Sequence, residues 1–226
     1  MAVNIEKYTK IKAELGDHVK LVAVSKMRTE EEIRLMYSLG QRDFGENYVQ
    51  ELVAKQLALP HDIRWHFIGH LQTNKVKYIA PFIHQIHGVD SFKLLEEIDR
   101  QALKNNRVIN CLLQVHIAKE ETKFGFNESE LKDLVAALPK YKMINKLNNV
   151  KLCGLMGMSS FTEDMEEVRK EMKYLKCLFD DTKDEVNLPS FKTLSMGMSG
   201  DYTVAVEEGS TMVRIGSLLF GSRVSQ

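Results

Sequence analysis

The chain carries no surplus of either charge. Its 31 lysines and arginines stand against 31 aspartates and glutamates, a formal net charge of zero over 226 residues. A global basic field of the kind that draws in nucleic acid or anionic lipid is therefore missing, and only a local patch could act that way. Cysteine and proline are scarce, at 3 and 4. Cys111, Cys153 and Cys177 are odd in number, widely spaced and each set in an apolar stretch, so they read as buried, inert thiols rather than a disulfide framework or zinc site. No apolar run approaches the roughly 20 residues of a membrane span. The opening MAVNIEKYTKIK lacks the apolar core of a secretory signal and reads as a short helix, which places the chain in the cytoplasm. No long linker, low-complexity stretch or repeat interrupts it.

What is present is alternation. Short, nearly charge-free runs rich in β-branched residues are separated by longer charged segments with helical periodicity, the pattern of a βαβα chain. The candidate strands are 19–25, 42–45, 63–69, 85–89, 109–117, 151–158, 191–196 and 213–220. Between them, Leu131, Leu134, Val135 and Leu138 mark one helical face, and Met165, Val168, Met172, Leu175 and Phe179 another. Thr29, Ser91 and Asp164 stand where helix caps are expected. Eight strands in this length give about 28 residues per βα unit, close to the spacing of a (β/α)8 barrel of about 250 residues. The reading is one domain over residues 1–226. The last strand runs nearly to Gln226, leaving an eighth outer helix missing, and the segment Ile5 to Leu15 is the natural cover for that gap.

Barrel chemistry sits at the C-terminal ends of the strands. The first strand, VKLVAVSK, ends in Lys26, a charge directly after a run that must be buried. It is either a solvated lysine opening a loop or a Schiff-base lysine whose amine condenses with a carbonyl cofactor. Glu46 and Asn47 end the second strand, and Gly69, His70, Gln72, Asn74 and Lys75 crowd the turn after the third. His66 and His70 alone make no zinc site, having no third ligand at suitable spacing, and His84 and His87 read as structural. Two similar Gly- and Met-rich ends, GLMGMSS and LSMGMSGD, follow the sixth and seventh strands. Their methionines serve as core filling or as an adaptable pocket wall, and their Ser and Gly positions suit anion binding. Arg214 lies inside an otherwise uncharged run and needs a partner: a buried ion pair, or a ring nitrogen above amides of Gly216 and Ser217 that hold a phosphate. Asp201 reads as an N-cap for the short segment after it.

VAVSK at 22–26, FGENYVQE at 44–51, WHFIGHLQTNK at 65–75, GLMGM at 154–158, SMGMSGD at 195–201 and GSTMVRIGSLLFGSR at 209–223 together resemble the pyridoxal phosphate homeostasis proteins, the YggS/PROSC group. The resemblance runs from the first strand to the last residues, although the segment before VKLVAVSK is shorter than usual for the group. It implies a single TIM-like (β/α)8 barrel of the alanine racemase N-terminal-domain type, holding pyridoxal 5′-phosphate as an internal aldimine on Lys26. It further implies that Asn47 stands near the ring, that Arg214 meets the pyridine nitrogen, that Ser199, Gly216 and Ser217 hold the phosphate, and that Ser195 and Met198 line the pocket.

A cofactor pocket need not be an enzyme. An acidic partner makes a pyridinium ring a strong electron sink, whereas a permanently charged guanidinium disfavours the protonated ring. Racemisation also needs a second base on the face opposite the lysine, and nothing in the sequence places Tyr48, Tyr78 or Tyr202 there. Related racemases and decarboxylases complete their sites with a second domain, for which this length leaves no residues. The expectation is a non-catalytic, cytoplasmic, monomeric protein of vitamin B6 homeostasis that binds pyridoxal phosphate and other B6 vitamers, touches cofactor-requiring enzymes transiently, and binds no metal, nucleic acid or membrane. The alternative is a small PLP-dependent amino-acid racemase. A third reading, a barrel for a phosphorylated sugar without the cofactor, survives only if the protein lacks cofactor colour.

Overall fold

The computed structural model describes residues 3–119, 124–143 and 147–221. Eight parallel strands close on themselves in sequence order, with the eighth pairing back to the first. They are β1 (Lys20–Val24), β2 (Asp43–Glu46), β3 (Arg64–Phe67), β4 (Gln85–Val89), β5 (Ile109–Val115), β6 (Val150–Gly157), β7 (Thr193–Ser195) and β8 (Met212–Ile215). Preceded by α1 (Ile5–Leu15), the helices follow the strands in turn: α2 (Glu30–Ser38), α3 (Val49–Ala58), α4 (Val76–Ile79), α5 (Phe92–Lys104), α6 (Glu128–Met143), α7 (Met165–Val186), α8 (Tyr202–Glu207) and α9 (Ser217–Phe220). This is a (β/α)8 barrel.

The local rules that set these elements are visible in their caps and faces. Thr29 forms a full capping box with Glu32, and the Ser91 and Asp164 side chains accept backbone N–H groups at the starts of α5 and α7. Leu131, Leu134, Val135 and Leu138 are buried on α6, and Val168, Met172, Leu175 and Phe179 on α7, while Met165 at the first turn of α7 is exposed. Each buried stripe lies against strands whose side chains are buried on both barrel faces, as parallel sheets require.

Three expectations are corrected. The predicted strand 213–220 ends at Ile215, and its second half is the one-turn helix α9, because an apolar run such as SLLF is compatible with a buried strand or a buried helix turn. The chain beyond β8 therefore does carry a helix, and α1 packs against it and β1, with the Asn4 N–H donating to the Leu219 carbonyl. Ser222, Arg223 and Gln226 lie outside the described residues. Cys111 and Cys153 are buried as expected, but Cys177 is exposed, since it falls on the outward side of α7. No helix among the described residues is long and apolar enough to cross a membrane.

Candidate functional site

At the C-terminal mouth of the barrel lies a cavity of about 370 Å³, lined by Lys26, Arg28, Asn47, Met198, Ser199, Arg214, Gly216 and Ser217, with Phe161 at its rim. A larger recess of about 970 Å³ opens at the opposite mouth. The smaller one is where the strand ends and their loops converge, so it is the place for chemistry in this architecture.

Lys26 follows β1 and is half-buried, and its neighbours on both sides are tied to the second βα unit. The Ser25 hydroxyl donates to Glu46 Oε1 at 2.6 Å, and the Lys55 ammonium donates to the Ser25 carbonyl, to Glu46 Oε1 and to Glu51 Oε1 at 2.7, 2.8 and 2.7 Å. The N–H of Met27, which sits at φ +59°, donates to Glu51 Oε1. Burial pushes the Glu46 carboxyl up, against the pull of Lys55 and Ser25. Glu46 therefore braces the lysine loop from below instead of standing at the mouth. Lys55 and Glu51 carry no such signal in the sequence, because a Glu and a Lys four apart on a helix normally form a solvated pair.

Asn47 reaches the cavity from the end of β2, and its Oδ1 is buried with no hydrogen-bond partner among the described residues. A Cβ on Gly69 would lie 2.6 Å from the Asn47 carbonyl oxygen, so only glycine lets the end of β3 back so closely onto that residue. The other polar residues of the β3 turn do not line the cavity; His70 bonds Asp90 at 2.9 Å and stacks on Phe124.

On the far wall the Gly216 N–H donates to Ser199 Oγ at 3.2 Å, bringing the two loops after β7 and β8 together. Asp201 occupies the N-cap position of α8 but makes no capping bond there. Its carboxylate instead accepts the Met198 N–H and the Ser159 hydroxyl at 2.6 and 2.8 Å, which fixes the Met198–Ser199 loop.

Arg214 on β8 is buried and makes no ion pair among the described residues. Its Nη2 donates to the Gly157 carbonyl at 3.0 Å and its Nη1 to Ser195 Oγ at 2.7 Å. Burial lowers its pKa to about 10, so it remains a cation at neutral pH. Ser195 does not line the cavity; it is fully buried beneath Arg214. From it a chain of hydrogen bonds crosses the barrel interior: Ser195 Oγ to His87 Nδ1 at 3.3 Å, His87 Nε2 to His66 Nδ1 at 2.9 Å, His66 Nε2 to Asp43 Oδ1 at 2.9 Å. The carboxylate end fixes the protons. The Asp43 carboxylate can only accept, so a neutral His66 donates to it from Nε2 and accepts at Nδ1 from His87 Nε2–H, which leaves Nδ1 of a neutral His87 to accept from the Ser195 hydroxyl, while Arg214 can only donate to Ser195 Oγ. Burial lowers the pKa of both histidines and keeps them neutral, as this polarity demands. Burial opposes ionisation of Asp43 too, but hydrogen bonds from Arg64 and His66 outweigh it and hold the carboxyl well below its usual range. Asp43, His66 and His84 bring one donor atom each to within 4.8 Å of one another, so His66 does have the neighbours that sequence spacing hid. Arg64 donates to both Asp43 oxygens and the Lys20 ammonium lies 3.7 Å from one of them, so two positive charges already stand at that carboxylate.

Among the described residues lining the cavity the titratable side chains are Lys26, Arg28 and Arg214, with no carboxylate, imidazole or phenol. Tyr202 donates to Glu14 on the outside of the barrel, and Tyr48 and Tyr78 are exposed away from the lining. Arg28, absent from the sequence-based set, follows Lys26 by two residues, donates to the Gly221 carbonyl, and adds the third positive charge.

Comparison with known proteins follows this geometry. The alanine racemase N-terminal domain family matches residues 4–224. The chain is 44% identical over 205 residues to a pyridoxal phosphate homeostasis protein of Aquifex aeolicus, covering 90% of this chain and 87% of that one. It is 38% identical to one of Synechocystis, covering 96% and 97%. The structure of PipY from Synechococcus elongatus with PLP bound superposes with a TM-score of 0.84 at 35% identity, covering 96% of this chain and 99% of PipY. Alanine racemase of Clostridium difficile, at 17% identity and a TM-score of 0.72, shares the fold. With a matching domain, sequence relatives over nine-tenths of its length and a superposable barrel, the chain belongs to the pyridoxal phosphate homeostasis protein family.

Proposed function

We propose that this protein binds pyridoxal 5′-phosphate in the C-terminal cavity and serves vitamin B6 homeostasis as a carrier, not a catalyst. One observation carries the reading: a half-buried lysine shares the cavity with a buried arginine that has no carboxylate partner among the described residues. The pocket also passes a test of fit. The cofactor is an aromatic ring with an acceptor nitrogen, a hydroxyl, an aldehyde and a phosphate. The buried, unpartnered Oδ1 of Asn47 matches a ring hydroxyl, Arg214 offers a donor to the ring nitrogen, and the Ser199, Gly216 and Ser217 loop ends carry hydroxyls and amides suited to phosphate. Relatives of this chain are named for the same cofactor, and one was solved with it.

When bound, the cofactor supplies an aldehyde conjugated to an electron-accepting ring. Lys26 offers the amine that holds the aldehyde carbon, and the braced Ser25–Met27 loop sets its position. Arg214, locked by Gly157 and Ser195, would hold a positive charge toward the ring nitrogen and so disfavour its protonation, weakening the sink that carbanion chemistry needs. Among the described residues the lining offers no carboxylate, imidazole or phenol to take a Cα proton on the face opposite Lys26. The protein is proposed to act as a monomer in the cytoplasm and to exchange cofactor with enzymes by transient contact.

The purified protein should show visible absorbance that is lost in Lys26→Ala, and borohydride reduction should label the Lys26 peptide by mass; an unchanged spectrum in that variant overturns the assignment. L-Amino acids incubated with the loaded protein in deuterated water should keep their Cα hydrogens, whereas rapid exchange establishes the racemase instead. Cells lacking the protein should show disturbed B6 vitamer and amino-acid pools.

A further inference from the structure

The recess at the N-terminal mouth, opposite the cofactor cavity, concentrates the charge that the whole chain balances. Lys12, Lys20, Arg42, Arg64, Lys151 and Lys192 line it against Asp17 and Asp43. The formal net charge of the protein is zero, so this surplus is a local arrangement. Three of these cations already have partners, since Arg64 and Lys20 share Asp43 and Arg42 pairs with Asp62 at 3.0 Å, so the surplus rests on Lys12, Lys151 and Lys192. Asp43 already accepts Arg64 and His66 and lies 3.7 Å from Lys20. Lys12, Lys151 and Lys192 make no ion pair among the described residues, so their charges are available to an anion in the recess.

A second observation points into the same space. Gln85 at the start of β4 is 5% exposed, lines the recess, and its side-chain amide makes no hydrogen bond among the described residues. The buried side-chain polar atoms without a partner among the described residues are Glu46 Oε2 and Asn47 Oδ1, so the Gln85 amide is open to the recess and available to what enters it. Thr193 and Thr211 add hydroxyls to the wall. Among the described residues no Phe, Tyr or Trp lines the recess, so its recognition is by charge and hydrogen bonding.

We propose that this recess is a second ligand site, taking a compact multivalent anion of the inorganic polyphosphate type. The lysines of the rim supply the attraction, which a concave, predominantly basic surface focuses, and Gln85 gives the floor a directional contact. The site is independent of the cofactor reading. Lys20 and Lys26 stand at opposite ends of β1, about 20 Å apart at the rise of a strand, so both sites can be filled together.

The test is calorimetric titration of the cofactor-loaded protein with sodium tripolyphosphate at about 100 mM salt, where weak surface attraction is largely screened. Saturable one-to-one binding is expected, weakened about tenfold or more in Lys151→Glu/Lys192→Glu. Both lysines are exposed, so the variant should fold, which circular dichroism checks, and its cofactor absorbance should be unchanged. Lys26→Ala should bind tripolyphosphate as the parent does. Failure of saturable binding, equal affinity in the double variant, or loss of binding in Lys26→Ala each overturns the proposal, the last by placing the anion in the cofactor cavity.

Discussion

Arg214 is held by what lies beneath it. Its two terminal nitrogens are fixed by Ser195 and the Gly157 carbonyl, and Ser195 is fixed in turn by a one-way series of donors ending at Asp43. Such a network specifies one geometry because every member is satisfied only in that arrangement. Ser195→Ala removes an acceptor from Arg214 and a donor from His87. Equilibrium dialysis should then show cofactor retention about tenfold to a hundredfold weaker, the loss expected for one hydrogen bond to a charged group. The absorbance band should also move, because the guanidinium is free to turn; a lowered melting temperature with an unmoved band would reduce Ser195 to a packing role. The residues named from sequence divide accordingly. Lys26, Asn47, Met198, Ser199, Arg214, Gly216 and Ser217 meet at one cavity, while Ser195 lies under it. Alternation along a three-residue strand end does not tell which serine faces the ligand and which the core.

At the scale of elements, the strands were legible in sequence because charge-free β-branched runs have few alternatives between polar helices, and their ends were less so. β5 and β6 shift register between Cys111 and Leu112, and Gly154 sits beside that irregularity at φ +147°. A Cβ there would fall 1.8 Å from the Thr193 carbonyl oxygen, a contact with backbone of β7 that cannot be relieved by a rotamer. Gly154→Ala should therefore destabilise the barrel by about 2 kcal/mol or more in urea unfolding. A change below about 0.5 kcal/mol would mean that β6 and β7 part easily at this point. Sequence suggested that GLMGM serves a ligand; Met158 does line the cavity, but Gly154 is a device of the sheet. The same limit explains α9, where local pattern left strand and helix equivalent, and Asp201, whose position is that of a cap but whose carboxylate is drawn to Ser159 and the Met198 N–H from another loop.

For the whole molecule, the neutral histidines of the interior couple stability to pH. His84 has its pKa lowered to about 4 by burial, and burial lowers His66 and His87 as well. A histidine in the unfolded chain titrates near 6.5, so between about pH 6.5 and 4 the unfolded state binds more protons and stability falls with pH. Asp43, depressed in the folded state, adds a further loss as pH drops below about 4. Thermal melts should be level above about pH 7 and decline steadily below it. A flat profile down to about pH 5 would show that the buried histidines titrate normally. Sequence by itself determined the barrel, the family and the group of side chains at the strand ends, because hydrophobic periodicity and short motifs are local properties of the chain. Only the tertiary structure decided that Glu46 and Lys55 brace the lysine loop, that Ser195 supports the arginine from below, and that cations far apart in sequence gather at the other mouth. Each of these is a contact between different βα units, and closure of the barrel is what brings those units within reach of one another.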